Sequence, residues 1–151
     1  MANLIFTRFF ERMASGNLNW ASAVIRCLLE RSTSTLSPNK DMDYVGDLSG
    51  LVEVSVTSYA RQTLGTAAVN IDDANDRVEL DCADISFGSL ETGQTADALI
   101  FYVQTGGDDS TPNDDPLIAY IDTATGLPAT LGGGAFSVVV NSEGLIQLAQ
   151  A

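Results

Sequence analysis

Apolar residues near the start of the chain recur at spacings close to three and four, the period of an amphipathic helix. The pattern ends at Ser15 and Gly16, a pair that is typical of a helix terminus. A helix this short is not stable alone and must pack on the body of the protein or on a partner. We therefore define residues 1–16 as a short N-terminal helical arm. Its apolar residues are Leu4, Ile5, Phe6, Phe9, Phe10 and Met13.

Beyond the arm, the hydrophobic pattern changes to short stretches of strand type. Residues 18–29 are apolar without clean alternation, which favours a buried strand, although periodicity alone leaves a helix open. Residues 32–50 are rich in Ser, Thr, Pro, Asn, Asp and Gly and predict a long loop. Further strands are predicted at 52–59, 62–71, 77–85, 98–105, 117–122, 136–141 and 144–148.

Turn residues separate these predicted strands. The segments 72–76 and 106–109 are built from Asp, Asn, Ala and Gly, and the segment 141–144 predicts a hairpin between the last two strands. Many short strands with no helix between them predict an all-β fold, an antiparallel β-sandwich that is jelly-roll-like. We expect one such domain over residues 17–151, because a chain of 151 residues is long enough to bury its own core.

Charge is distributed unevenly along the chain. Seven basic and 20 acidic residues give a net charge of −13, and there is no histidine. Residues 1–40 hold five basic and two acidic residues, whereas residues 78–151 hold eleven acidic residues and no Lys or Arg. This asymmetry favours docking of one copy on another or on a different protein, with a merely solvated acidic surface as the alternative. It disfavours nucleic acid as a partner, and the apolar runs are too short to cross a membrane.

Few residues have the pattern of a catalytic or metal site. Without histidine, no Ser-His or Cys-His pair and no imidazole-dependent zinc site can form, so we expect no enzyme activity and no cofactor. Cys27 and Cys82 lie in apolar or alternating stretches and are expected to be buried thiols. One acidic loop is a weak candidate for calcium, which prefers oxygen ligands, with a hydrated loop as the alternative. Its acids are Asp108, Asp109, Asp114 and Asp115.

The order of several segments carries a resemblance that covers most of the chain. These segments are 24–29, 37–39, 58–61, 63–64, 75–81, 98–102, 115–122, 136–140 and 144–146. In that order they resemble small virion structural proteins of tailed bacteriophages, of the head-decoration (cement) or minor-tail type. The resemblance implies a non-enzymatic β-sandwich that is made in the bacterial cytoplasm and used in many copies on the virion.

We therefore expect a capsid decoration protein on the outside of the shell, a homo-oligomer that binds the major capsid protein and neighbouring copies of itself. Deletion of residues 1–14 is then expected to leave a folded protein that no longer binds particles. The alternative is a tail- or fibre-associated module that recognises a host receptor. The residues predicted to bind the partner all lie in the arm: Phe6, Arg8, Phe9, Phe10, Arg12 and Met13.

Overall fold

The computed structural model describes residues 3–149. Residues 1–2 of the predicted arm and residues 150–151 of the predicted domain lie outside the described residues. The described chain contains one α-helix and short antiparallel strands, which confirms the all-β, sandwich-like class with a helix near the N-terminus. In chain order the elements are β1 (Leu4–Ile5), α1 (Thr7–Ala14), β2 (Ile25–Arg31), β3 (Gln62–Thr63), β4 (Ala68–Asp72), β5 (Arg77–Asp81), β6 (Ile85–Ser89), β7 (Thr95–Val103), β8 (Leu117–Ile121), β9 (Ala129–Thr130), β10 (Ala135–Val138) and β11 (Ile146–Ala149).

The main sheet is built around β7, its longest strand. Its order is β1-β8-β7-β2-β3, with β9 paired to the first residues of β7. Cys27 of β2 lies opposite Phe101 of β7, and Phe101 lies opposite Ala119 of β8. All of these pairings are antiparallel.

Both faces of the main sheet are buried. Along β7, Leu99 and Phe101 belong to one hydrophobic core, whereas Ile100 and Tyr102 belong to a second core on the opposite face. This division follows from the strand period of two. A strand buried on both faces reads as a continuous apolar run, which explains why residues 98–103 show no alternation of apolar and polar residues.

Two small sheets cover the first face and complete the sandwich. One has the order β11-β5-β4 and the other pairs β10 with β6. They contribute Leu80, Phe87 and Ile146 to the core that contains Leu99 and Phe101. The indole nitrogen of Trp20 donates a hydrogen bond to the carbonyl of Asp81 at 2.9 Å, which ties the chain before β2 to this layer.

The second face is covered by the predicted long loop. Residues 32–50 contain no strand and one short 3₁₀ turn at Val45–Asp47, and Leu36, Val45 and Leu48 are buried against the sheet. The side chain of Asn113 lies in the space that a Cβ at Gly46 would fill, so a larger residue at this position would displace that exposed side chain. The prediction of a loop is confirmed, and the loop is part of the core.

Two predicted boundaries near the N-terminus differ clearly from the structure. Leu4–Ile5 form a strand, so the helix begins at Thr7 and ends at Ala14, close to the predicted terminus at Ser15. The strand predicted over 18–29 begins only at Ile25. The preceding residues turn instead, because the carbonyl of Asn19 accepts hydrogen bonds from the amides of Ser22 and Ala23.

The predicted strand at 52–59 is wrong. Its backbone makes one isolated bridge, from Glu53 to Glu30 of β2, and then leaves the sheet. The edge of β2 is shared, because β3 pairs with Arg26 and Cys27 further along the same strand. Strands β1, β6 and β9 were not predicted as separate elements. The single strand predicted over 62–71 is in fact two strands, β3 and β4, which belong to different sheets.

The predicted hairpin of the last two strands is also wrong. The turn itself forms, since the amide of Gly144 donates to the carbonyl of Asn141 at 2.9 Å. However, β10 pairs with β6 and β11 pairs with β5. The amide of Leu145 bonds to the carbonyl of Leu80 at 2.8 Å, so the turn passes the chain from one sheet to the other.

Candidate partner-binding surface

The N-terminal arm packs on the body of its own chain. β1 extends the main sheet beside β8, and the amide of Phe6 donates to the carbonyl of Ile118 at 3.0 Å. Phe6 and Phe9 are both fully buried, Phe6 under the long loop and Phe9 in the core between the layers. The Phe9 ring meets Trp20 edge to face, with centroids 6.3 Å apart. These two predicted binding residues are therefore inaccessible to a partner in this conformation.

The other predicted binding residues lie along the flanks of α1. Phe10 is 43% exposed, whereas Met13 is half-buried and packs against the core between the layers. Arg8 lies on the flank that faces the long loop, where its Nε is 3.3 Å from a carboxylate oxygen of Asp43. Arg12 shares this flank, because residues four apart in a helix lie on one side. Their predicted role in partner binding stays a prediction.

A groove of about 390 Å³ runs between this flank of α1 and the loops beside it. Arg12 and Glu11 line one wall, and Tyr44 and Thr105 line the other. The guanidinium of Arg12 stacks over the Tyr44 ring, 5.1 Å from its centroid, which fixes its orientation. Its Nη1 lies below the surface and has no hydrogen-bond partner within residues 3–149. The groove is thus lined by an oriented guanidinium, one nitrogen of which is buried without a hydrogen-bond partner.

A second polar cluster, which the sequence did not reveal, lies where Arg61 meets Glu53. Arg61 donates from Nε and Nη2 to both carboxylate oxygens of Glu53, at 2.8 to 3.1 Å. The hydroxyl of Tyr59 also donates to Glu53, at 2.6 Å, and accepts the amide of Leu29 at 3.0 Å. Burial lowers the pKa of Arg61, but the hydrogen bond and charge of Glu53 outweigh it, so the pKa is raised. The cluster holds the irregular segment 52–61 onto β2.

Tyr102 and Asp109 extend this cluster to the acidic loop. The Tyr102 hydroxyl accepts a hydrogen bond from Arg61 at 3.2 Å and donates one to Asp109 at 2.6 Å. The other carboxylate oxygen of Asp109 lies 3.1 Å from Nη1 of Arg26. Burial and the hydrogen bond to Asp109 raise the pKa of Tyr102. The two carboxylates, Glu53 and Asp109, are paired with the two guanidinium groups, Arg61 and Arg26. Together with Tyr102, these contacts attach the acidic loop to the main sheet, and we call this set the Glu53–Asp109 clamp.

The calcium candidates do not converge on a common point. Asp109 is engaged by two arginines, and Asp108 accepts the amide of Ser110 within its own turn. Asp115 is fully buried and accepts the amide of Thr105 at 2.7 Å. Over residues 3–149, no group of three or more Cys, Asp or Glu side chains has a geometry that could hold a metal ion.

The two cysteines are buried and unpaired, as predicted. Burial raises the pKa of the Cys27 thiol well above its ordinary value, and the neighbouring Cys82 and Glu53 raise it further. Burial likewise raises the pKa of Cys82 to about 11. Both thiols are therefore protonated at neutral pH and have the low reactivity of small core side chains.

No family model, no curated protein and no solved structure matches this chain. The described segment 3–149 also contains no helix that is long and apolar enough to cross a membrane.

Proposed function

We propose that the protein is a non-enzymatic structural component of a tailed-phage particle, where it binds the outside of the capsid and stabilises the shell. The observation that carries this proposal is the surface of α1, a helix packed on the body: Phe10 is 43% exposed on one flank, and the half-buried guanidinium of Arg12 has no acidic partner in the described chain on the other. An ordered binding surface loses little entropy when a partner docks, which favours association.

The chemistry of this surface selects the partner group. Arg12 has no acidic partner within the described chain, whereas Arg8 is paired with Asp43. A carboxylate from the partner would pair with the accessible part of the half-buried Arg12 guanidinium by a charge-assisted hydrogen bond, worth about 1.5–3 kcal/mol. Covering the exposed part of Phe10 would add about 1 kcal/mol from apolar burial. Each contact is weak, so the proposed shell is stabilised by many copies acting together.

The acidic body supports the same orientation. Eleven acidic residues and no basic ones follow residue 77, whereas the arm and β2 carry most of the positive charge. A partner that is acidic where it meets α1 is attracted to that end and repelled by the rest of the molecule. The proposed protein therefore docks through the α1 surface and leaves its acidic body exposed.

A binding experiment tests this proposal. Heads of the encoding phage, prepared without this protein, are mixed with wild type or with the variant Phe10→Ala/Arg12→Gln and sedimented. We expect the variant to bind at least about tenfold more weakly, because both contacts are lost. Val139→Ala is the matched control, since Val139 is 78% exposed and directly follows β10, which pairs with β6 and not with the main sheet. Equal binding of all three proteins would refute the α1 surface as the docking site.

Immunogold electron microscopy of intact virions, with an antibody raised against this protein, tests its location on the particle. Label over the head supports capsid decoration. Label restricted to the tail or its tip overturns it in favour of the second candidate, a tail- or fibre-associated recognition module, for which the exposed acidic loops would be the contact surface.

A further inference from the structure

The inner face of the β11-β5-β4 sheet is apolar along its whole width, but the core covers only the part formed by β11 and β5. The register aligns Ile146, Leu80 and Val69 in one row across the three strands, and Leu148, Val78 and Ile71 in the next. Leu80 and Ile146 are buried, but exposure rises to 48% at Val69 and 75% at Ile71. Both apolar rows therefore continue past the core and end in solvent at β4.

The backbone of β4 is also open on that side. β4 pairs only with β5, and in the described chain no strand lies on its other edge. Natural edge strands usually carry Lys, Pro or a bulge that blocks further pairing. β4 has none of these, and its one charge, Asp72, is paired with Arg77 at 2.9 Å. The strand can accept a further strand without first losing a protective feature.

We infer that β4 is a self-association edge, at which β4 of a second copy pairs antiparallel about a twofold axis through Asn70. The sequence of β4 is self-complementary in this register, because Val69 of each copy lies opposite Ile71 of the other. The apolar row from Leu148 through Val78 and Ile71 would then continue into Val69 and Leu80 of the second copy. One continuous six-stranded sheet results, with a single apolar face.

The charges of the hairpin are compatible with this pairing. Asp72 lies opposite Ala68 of the second copy, and not opposite another acid. The acidic turns, which contain Asp73 and Asp76, extend beyond opposite ends of the paired strands, about 17 Å apart for five residues at the usual rise of a strand. Screening at physiological salt acts over about 8 Å, so repulsion between the turns is small. A second copy therefore fits this edge despite the net charge of −13.

The interface is small, which determines how it would behave. One five-residue strand per copy buries less than the roughly 1,000 Å² of a stable interface, so we expect reversible association that depends on protein concentration. The inference rests on the proposed function, which places many copies on one shell, and adds a contact between neighbouring copies. It involves residues other than those of α1, so binding to heads and pairing of copies can fail independently.

Cysteine cross-linking tests the register directly. Directly opposite residues of antiparallel strands have Cα atoms about 4.5–5.5 Å apart, within the range of a disulfide. Asn70→Cys should therefore form a disulfide-linked dimer with diamide, which takes up the two electrons and two protons of the thiols. Val139→Cys is the matched exposed control, and the native thiols are buried. Cross-linking of Asn70→Cys no faster than Val139→Cys would overturn the inference.

Sedimentation equilibrium provides the second readout, on uncross-linked protein. The wild type should show a weight-average mass that rises with concentration. Ile71→Lys should weaken this association at least about tenfold, because a charge replaces the apolar side chain that lies opposite Val69 of the other copy. Val139→Lys adds the same charge at an equally exposed position and should leave association unchanged. A wild type that stays monomeric up to about 1 mM, or equal effects of the two lysines, would refute the pairing.

Discussion

Deletion of the arm should unfold the protein, because its two buried phenylalanines belong to two different cores. Phe9 is fully buried and stacks edge to face on Trp20, and Phe6 is fully buried under the long loop. Truncation of a buried Phe to Ala costs about 3–5 kcal/mol, so the pair accounts for about 6–10 kcal/mol. A domain of this size has a total stability of about 5–15 kcal/mol. Loss of residues 1–14 thus removes most of the stability, contrary to the expectation from sequence that the remainder stays folded.

The single substitutions separate burial from position in the arm. Phe9→Ala and Phe6→Ala should each lower the free energy of unfolding by about 3–5 kcal/mol. Phe10→Ala should lower it by only about 1 kcal/mol, because that side chain is 43% exposed. The two large effects should be close to additive if the cores respond independently.

Urea denaturation provides the assay. Trp20 is the only tryptophan and is 1% exposed beside Phe9, so its fluorescence reports directly on this part of the core. Far-ultraviolet circular dichroism should give a coincident transition if unfolding is two-state. A truncated chain whose stability lies within about 1 kcal/mol of the wild type would show that the arm is not part of the core.

Two further predictions concern the polar side chains. Glu53→Ala should lower the free energy of unfolding by about 2–3 kcal/mol, since Arg61 and Tyr59 lose their shared partner. Glu53→Gln should cost less, because it keeps an acceptor for the hydroxyl of Tyr59. Equal losses for the two variants in urea denaturation would contradict a role for that acceptor. Alkaline pH should also destabilise the protein, because burial raises the pKa of Cys27, Tyr102 and Tyr120 in the folded state. The contribution of these neutral groups to stability is complete below their pKa values in the unfolded chain, near 9 to 10, and is lost as the pH rises above them. Each group that ionises only in the unfolded chain lowers the free energy of unfolding by about 1.4 kcal/mol per pH unit. A melting temperature that does not change between pH 8 and pH 11 would contradict this prediction.

Local pattern predicted those elements whose burial follows from neighbours in the sequence. The strands around 77–81, 98–103 and 117–121, the loop 32–50 and the helix terminus near Ser15 all appear where turn chemistry and apolar runs place them. Pattern failed at 52–59, where the alternation of Val52, Val54 and Val56 is real but the edge of β2 is shared with β3. An alternating segment becomes a strand only if a partner strand has a free edge beside it, which is not a local property.

The candidate site shows the same division. Phe10 and Arg12 were predicted as binding residues and lie at the surface of α1, but the sequence could not separate them from Phe6 and Phe9. Which flank of a short helix faces the body depends on what packs against it, here β8 and the chain before β2. The Glu53–Asp109 clamp was missed because its members lie on separate segments and carry no spacing motif.

By itself, the sequence determined the all-β class, the absence of histidine chemistry, the acidic body and the position of most turns, because composition and short-range periodicity act within a few residues. Only the tertiary structure decided that the arm is part of the core, that the last turn joins two sheets, and that β4 ends a sheet with its apolar row uncovered. These features depend on which strands become neighbours. Pairing between distant strands is governed by the packing of the whole core, which no single stretch of the chain specifies.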